Sequence, residues 1–228
     1  MAYKHPLIDM KTLLATLLLA GWSITAHSQD FTFPKNGDGE YEFSEIVEIE
    51  ASKATLFANA TSWAMSYYEE EGYKNVIQFE SETDGRIIIK NVDAVLNRRD
   101  IKMGKVHFES ENIYYTLTID CKDNKYRFII NDIKIKTLSY SPVFGNDMEW
   151  DMTHEKHLEK IDQYKQELEN LKKQAETLKG GKKTKTQKQI DELKEKEEGE
   201  KEMYQDEYNI FERLIKSLKK KMLTNSDF

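Results

Sequence analysis

Apolar residues recur first with period two and later with period three to four, and the change of period divides the chain. In EYEFSEIVEIE (40–50), Tyr41, Phe43, Val47 and Ile49 alternate with Glu40, Glu42, Ser44, Glu48 and Glu50. That alternation predicts a strand wet on one face, broken once each by Glu45 and Ile46. Ser52 suits an N-cap, and Leu56, Ala60, Trp63, Ala64 and Tyr67 then recur at helical spacing up to Glu71, with a stop at Gly72. Four short strands are expected next, at 75–80, 86–92, 105–109 and 113–122, with turn-like TDG and SEN between members of the set. Asp123-Asn124 makes a hairpin turn into KYRFIINDIKI, which is apolar on both faces near Phe128 to Ile130, as a central strand would be.

From Asp151 the period becomes helical and the composition highly charged. Ile161, Tyr164, Leu168, Leu171, Ala175 and Leu178 form heptad pairs that stop at GGKKTKT (180–186), where a turn is expected. Ile190 and Leu193 resume the pattern, it lapses across EKEEGE (195–200), and Tyr204, Tyr208, Phe211, Leu214, Ile215, Leu218 and Met222 form a stronger stripe. The reading is a helical hairpin followed by a closing helix. With the turn at 180–186, Leu178 pairs with Ile190, Ala175 with Leu193 and Tyr164 with Tyr204. Leu168 and Leu171 then face Glu197 and Glu200, leaving a loose seam or leucines offered to another surface. An arm over 151–178 would be roughly 42 Å long at 1.5 Å per residue.

The order of elements, together with particular stretches, resembles an uncharacterised bacterial family, domain of unknown function 4468, with a TBP-like fold. The stretches are YEFSEIVEI, ATSWA, NVIQFES followed by DGRIIIKN, YYTLTIDCKDNKYRFIINDI and LIKSLKKKM. The resemblance implies an α+β domain, a β-α-β-β-β-β(-β)-α antiparallel sheet with helices on one face, in exported proteins of Bacteroidota-like bacteria. It brings no catalytic motif. The charged helical hairpin departs from the family pattern, so the expected organisation is a lead-in at 29–39, a domain formed by 40–140 with 203–223, and an arm over 151–202.

The first 28 residues read as a secretory signal: Lys4 and Lys11 precede an apolar run from Leu13 to Trp22, and Ala26 and Ser28 frame a cut between Ser28 and Gln29. Met10 offers an alternative start. The apolar run is shorter than the roughly 20 residues of a membrane span, and no cysteine stands at the cut to carry a lipid. The expected product is exported, periplasmic or secreted, and not lipid-anchored.

Charge narrows the partners. The chain carries a net charge of −7, and all of the acidic excess falls before Asp151, since the segment from there onward has as many basic as acidic residues. An acidic sheet domain, an export signal and strands showing Glu40, Glu42, Glu48 and Glu50 argue against nucleic acid, whatever the fold might suggest. Cys121 is the only cysteine, so no disulfide forms within the chain. It shares a strand face with Ile113, Tyr115, Leu117 and Ile119 and is expected to be a small buried side chain.

Candidate chemistry is sparse. Asp151, His154 and His157 stand three apart at the expected start of a helix and could share a Zn(II) or Cu(II) ion, although a solvated first turn capped by Asp151 explains them without one. Acidic pairs such as Glu109 and Glu111 are expected at the surface. No cofactor motif is present, and Lys182, Lys183, Lys185 and Lys188 form a basic tip on the arm. The expectation is a non-enzymatic module that binds a cell-envelope protein through its sheet face or its arm. Binding of a small molecule or glycan on the sheet, and hydrolysis at an acidic site without a recognisable motif, are the alternatives.

Overall fold

The structure, a computed structural model, describes residues 32–102, 105–141 and 146–224; along 94–102, 105–110, 138–141 and 146–152 it describes backbone pairing alone. The expected signal segment and its cut between Ser28 and Gln29 lie outside the described residues.

Six antiparallel strands form the sheet: β1 (Phe43–Glu48), β2 (Ile77–Ser81), β3 (Arg86–Lys102), β4 (Lys105–Lys122), β5 (Lys125–Ser141) and β6 (Asn146–Met152). Their order is β1-β5-β4-β3-β2, with β6 also on β5. The helices are α1 (Lys53–Tyr67), the short α2 (Tyr73–Val76), α3 (His154–Thr177) and α4 (Gly181–Met222). Ser52 caps α1 as expected, its hydroxyl accepting from the Thr55 N–H at 3.1 Å.

Local sequence accounts for much of this. Ile113, Tyr115, Leu117, Ile119 and Cys121 are all buried on one face of β4, the period-two rule carried through. Asn124 takes φ 63 in the β4–β5 turn, a conformation asparagine tolerates. Gly85 has φ +67, and a Cβ there would lie 2.4 Å from the Cys121 carbonyl oxygen, so the turn before β3 requires glycine.

The inner sheet face holds α1 and α4 together. Tyr115 shows this, its hydroxyl 3.1 Å from that of Tyr68 just past α1 and its ring 5.7 Å from Phe211 of α4. Trp63 Nε1 donates to the Ser217 hydroxyl at 3.0 Å, joining the two helices directly. Phe211, Leu214 and Leu218 have no exposed surface, and burial of each such side chain contributes about 1.5–3 kcal/mol.

β5 is central, as its apolar faces indicate, but two strands share one of its edges. β1 covers Lys125 to Ile130 and β6 covers Ile135 to Ser141. Between them β5 bulges: Asn131 and Lys134 pair with Thr116 and Tyr114, so Asp132, with φ 52, and Ile133 stand against Tyr115 alone. The register of β6 then delivers the chain beside Ile135 just as α3 begins.

Three expectations need correction. The segments at 105–109 and 113–122 are one strand, because Glu111 in the supposed SEN turn has buried partners that outweigh its turn preference. The hairpin turn is not GGKKTKT: α3 ends at Thr177, Gly180 takes φ 58 and ψ −142, and α4 starts at Gly181. Lys182, Lys183, Lys185 and Lys188 therefore stand on the first helical turns. Moving the pivot back to 178–180 shifts the register, so Leu168 packs with Ile190 and Leu193, flanked by Tyr164, Leu171 and Ala175. The seam is filled, and no leucine layer is offered elsewhere. Finally, α4 runs unbroken for 42 residues, so no boundary separates arm from closing helix at 202–203.

Candidate functional site

Where β6 hands over to α3, five ionisable side chains converge inside the protein. Thr153 caps α3, accepting from the Lys156 N–H at 3.3 Å, and His154 and His157 follow on the helix face turned to the sheet. α4 brings Glu200 and Glu207, two turns apart on one face, and β4 brings Glu111. Glu111, His157, Glu200 and Glu207 have no exposed surface and His154 is 2% exposed.

His157 is at the centre. Its Nδ1 lies 2.7 Å from Glu200 Oε1, and its Nε2 lies 3.0 Å from Glu207 Oε1 and 3.5 Å from Glu111 Oε1. His154 Nδ1 is 2.8 Å from Glu207 Oε2, and the Thr137 hydroxyl donates to Glu111 Oε1 at 3.1 Å. Lys160 Nζ reaches Glu200 Oε1 at 3.2 Å. The His154 ring stacks on Phe33 with centroids 3.5 Å apart. Tyr41 donates to Glu155, which also pairs with Lys35 at 2.8 Å, closing the outer side.

Burial without compensation would neutralise such groups. Burial raises the Glu111 carboxyl, and the neighbouring Glu207 carboxylate raises it further. Burial also opposes charge on Glu207, but hydrogen bonds from His154 and His157 outweigh it and hold that carboxyl low. For His157 burial favours the neutral ring, and contact with Glu200 and Glu207 reverses the balance, moving it up to about 10. Without a metal ion the surroundings thus favour the neutral form of Glu111 and the charged forms of His157 and Glu207.

Of the sequence candidates, His154 and His157 are brought together and Asp151 is not. Asp151 belongs to β6, paired with Lys136, and the cap is Thr153. The histidines are buried where a solvated first turn was expected, because the β5–β6 pairing lays that turn on the sheet. Glu111 is buried too, where the acidic pair with Glu109 was expected at the surface. The three glutamates were missed, although two left a trace. Glu200 and Glu207 fall in register with Met203, Ile210 and Leu214, at heptad core positions where a carboxylate needs a partner. Glu111 likewise continues the inner-face series 113, 115, 117, 119. Cys121 is inert as expected, its thiol pushed up to about 12 by burial.

The sheet face opposite the helices is a second feature. Strand alternation places Arg86, Lys90, Lys125, Arg127, Lys134 and Lys136 there, with Glu48 and Asp120 as carboxylates. Arg127 Nη2 is 2.6 Å from Asp120 Oδ2, and Arg86 pairs with the other oxygen. Ile46 is 63% exposed, Phe79 41% and Val92 42%. This corrects the expectation of an acidic strand face: β1 spans only six residues, so Glu40, Glu42 and Glu50 lie beyond it. Of the aromatics near the sheet exit, Tyr126 is buried and Tyr114 lies under Lys136 Nζ, 5.8 Å from the ring centroid. Among the described residues no helix is long and apolar enough to cross a membrane.

Residues 43–136 match the family described as domain of unknown function (DUF4468) with TBP-like fold. Nothing among curated proteins matches. Two solved structures are similar. A DUF4468 family protein from Bacteroides ovatus ATCC 8483 is 21% identical over 45% of this chain and 58% of that one, with TM-score 0.36. A TBP-like protein from Parabacteroides distasonis ATCC 8503 is 24% identical over 52% of this chain and 69% of that one, with TM-score 0.38. From β1 into β5, therefore, residues 43–136 are similar to the DUF4468 family with TBP-like fold.

Proposed function

We propose that the chain is an exported, non-enzymatic binding domain that docks an acidic surface of a cell-envelope protein on its open sheet face. The observation that carries this is the juxtaposition on that face of Ile46, Phe79 and Val92, all exposed, with Arg86, Lys90, Lys125 and Arg127. Apolar anchors supply area that loses water on contact, and the surrounding cations favour a partner of opposite sign. The sheet face is preferred to the arm because the arm's own leucines fill its seam. A non-enzymatic role is preferred because the ionisable cluster is sealed from any substrate larger than an ion. A protein is preferred to nucleic acid because Asp120 offsets part of the charge of Arg86 and Arg127, and because the expected address is outside the cytosol.

The test is crosslinking capture from periplasmic extract with the wild type, an R86E/R127E double variant and Ile46→Asp. An acidic protein enriched by the wild type and lost with both variants supports the proposal. Retention by both variants overturns the face assignment, and tight, salt-sensitive binding of oligonucleotides overturns the partner class. Mature protein in the periplasm beginning at Gln29 supports export; unprocessed protein in the cytosol overturns it.

A further inference from the structure

The buried cluster has the internal order of a metal centre. Glu111, His157 and Glu207 each offer one donor atom, and the three donors lie within 4.8 Å of one another. His157 Nε2 lies 3.0 Å from Glu207 Oε1 and 3.5 Å from the Glu111 carboxyl, close to the roughly 3.3–3.6 Å that separates donors when bonds of about 2.0–2.2 Å form a tetrahedral shell.

The outer atom of each group is hydrogen-bonded and the inner one is not. His157 Nδ1 is held by Glu200, Glu207 Oε2 by His154, and Glu111 Oε1 by Thr137. His157 Nε2, Glu207 Oε1 and Glu111 Oε2 belong to fully buried side chains and, beyond the 3.0 Å contact between Nε2 and Glu207 Oε1, find no hydrogen-bond partner among the described residues. Three buried polar side chains left so incompletely satisfied, each with an atom within 4.8 Å of the others, form an arrangement a protein interior rarely keeps without reason. A carboxylate holding the far nitrogen of a ligating histidine is the usual outer shell of such sites; it fixes the tautomer and raises the basicity of the ligand.

Charge selects the ion. A dication balances Glu111 and Glu207, while Lys160 already balances Glu200. One imidazole with two carboxylates suits a first-row transition ion better than Ca(II) or Mg(II), which prefer all-oxygen shells. We propose that Glu111, His157 and Glu207 bind one divalent transition-metal ion of the Zn(II) class, which clamps α3 and α4 onto β4.

The site is structural: its ligands come from three elements distant in sequence and no surface is open to substrate. Glu200, His154 and Thr137 act as positioning residues.

The probe is Zn(II), with Co(II) as its spectroscopic substitute, on the full chain freed of affinity tags and stripped with chelator. The expected result is one equivalent of Zn(II) bound with a rise in melting temperature, and Co(II) bands characteristic of mixed nitrogen and oxygen ligation. Glu111→Gln keeps the bond from Thr137 and removes a ligand charge, so it should fold and lose binding at least 100-fold. Glu200→Gln should weaken binding about 10–100-fold and alter the Co(II) spectrum without abolishing it. Zn(II) that neither binds nor shifts melting in the wild type would overturn the assignment in favour of a purely protonic cluster. Equal Zn(II) binding by the wild type and a folded Glu111→Gln chain would place the ion elsewhere and overturn it as well.

Discussion

His157 and Glu200, 43 residues apart in the chain, meet at 2.7 Å inside the protein and fasten the two helices of the hairpin together at its base, where His157 also reaches Glu111 of β4. Through Glu111 the hairpin is part of the folded domain at its root.

Breaking that root should be costly. His157→Ala leaves the buried carboxylates Glu200 and Glu207 of α4 without their shared cation, and removing one partner of a buried pair typically costs about 3–5 kcal/mol. Urea denaturation of the purified chain at neutral pH measures it. A loss below about 1 kcal/mol would show that water reaches the cluster.

The two ends of the hairpin should respond differently to deletion. Replacing residues 165–194 by a short glycine-rich turn removes the Leu168, Ile190 and Leu193 layer but keeps Tyr164 opposite Glu195 in the observed register, so cooperative melting should persist. Deleting 152–202 also removes His154, His157 and Glu200 while leaving Glu111 and Glu207 buried, and should abolish cooperative unfolding. Calorimetry that finds both deletions equally well folded would refute the role assigned to the root.

The turn predicts opposite effects at adjacent glycines. Gly180 has φ 58 and ψ −142, a region almost closed to other residues, so Gly180→Ala should cost about 1–3 kcal/mol. Gly181 is the first residue of α4, and a Cβ there meets nothing within 4 Å. Gly181→Ala should therefore be neutral or stabilise by about 0.4–1 kcal/mol. Equal effects at the two positions would favour a loop over 180–186.

Acid should weaken the open face through Asp120. Burial raises its carboxyl, but the hydrogen bonds from Arg86 and Arg127 outweigh this and hold it below its ordinary value of 3.8. A depressed folded value means that its contribution is complete above about pH 4–5 and is lost as pH falls through the folded value. Asp120→Asn should therefore lower stability by about 1 kcal/mol near neutrality, and the gap from the wild type should close toward pH 2. A gap that stays constant with pH would assign the effect to packing.

By itself the sequence determined the period-two sheet, the Ser52 cap, the Asp123-Asn124 turn and the inner face from Ile113 to Cys121, whereas the first helix ends at Tyr67 and not at the expected Gly72. Each rests on residues within a few positions of one another, where sterics and local hydrogen bonds decide. It also marked His154 and His157. Only the tertiary structure decided that Asp151 belongs to a strand, that Ser110 to Asn112 is no turn, and that the hairpin pivots at Gly180. In each case a long-range pairing outweighed a local preference: β5 with β6, Glu111 with Thr137 and His157, and Leu168 with Ile190 and Leu193. The buried cluster depends most on tertiary structure, because its carboxylates come from positions 111, 200 and 207, and a carboxylate reads as surface until its partners are known.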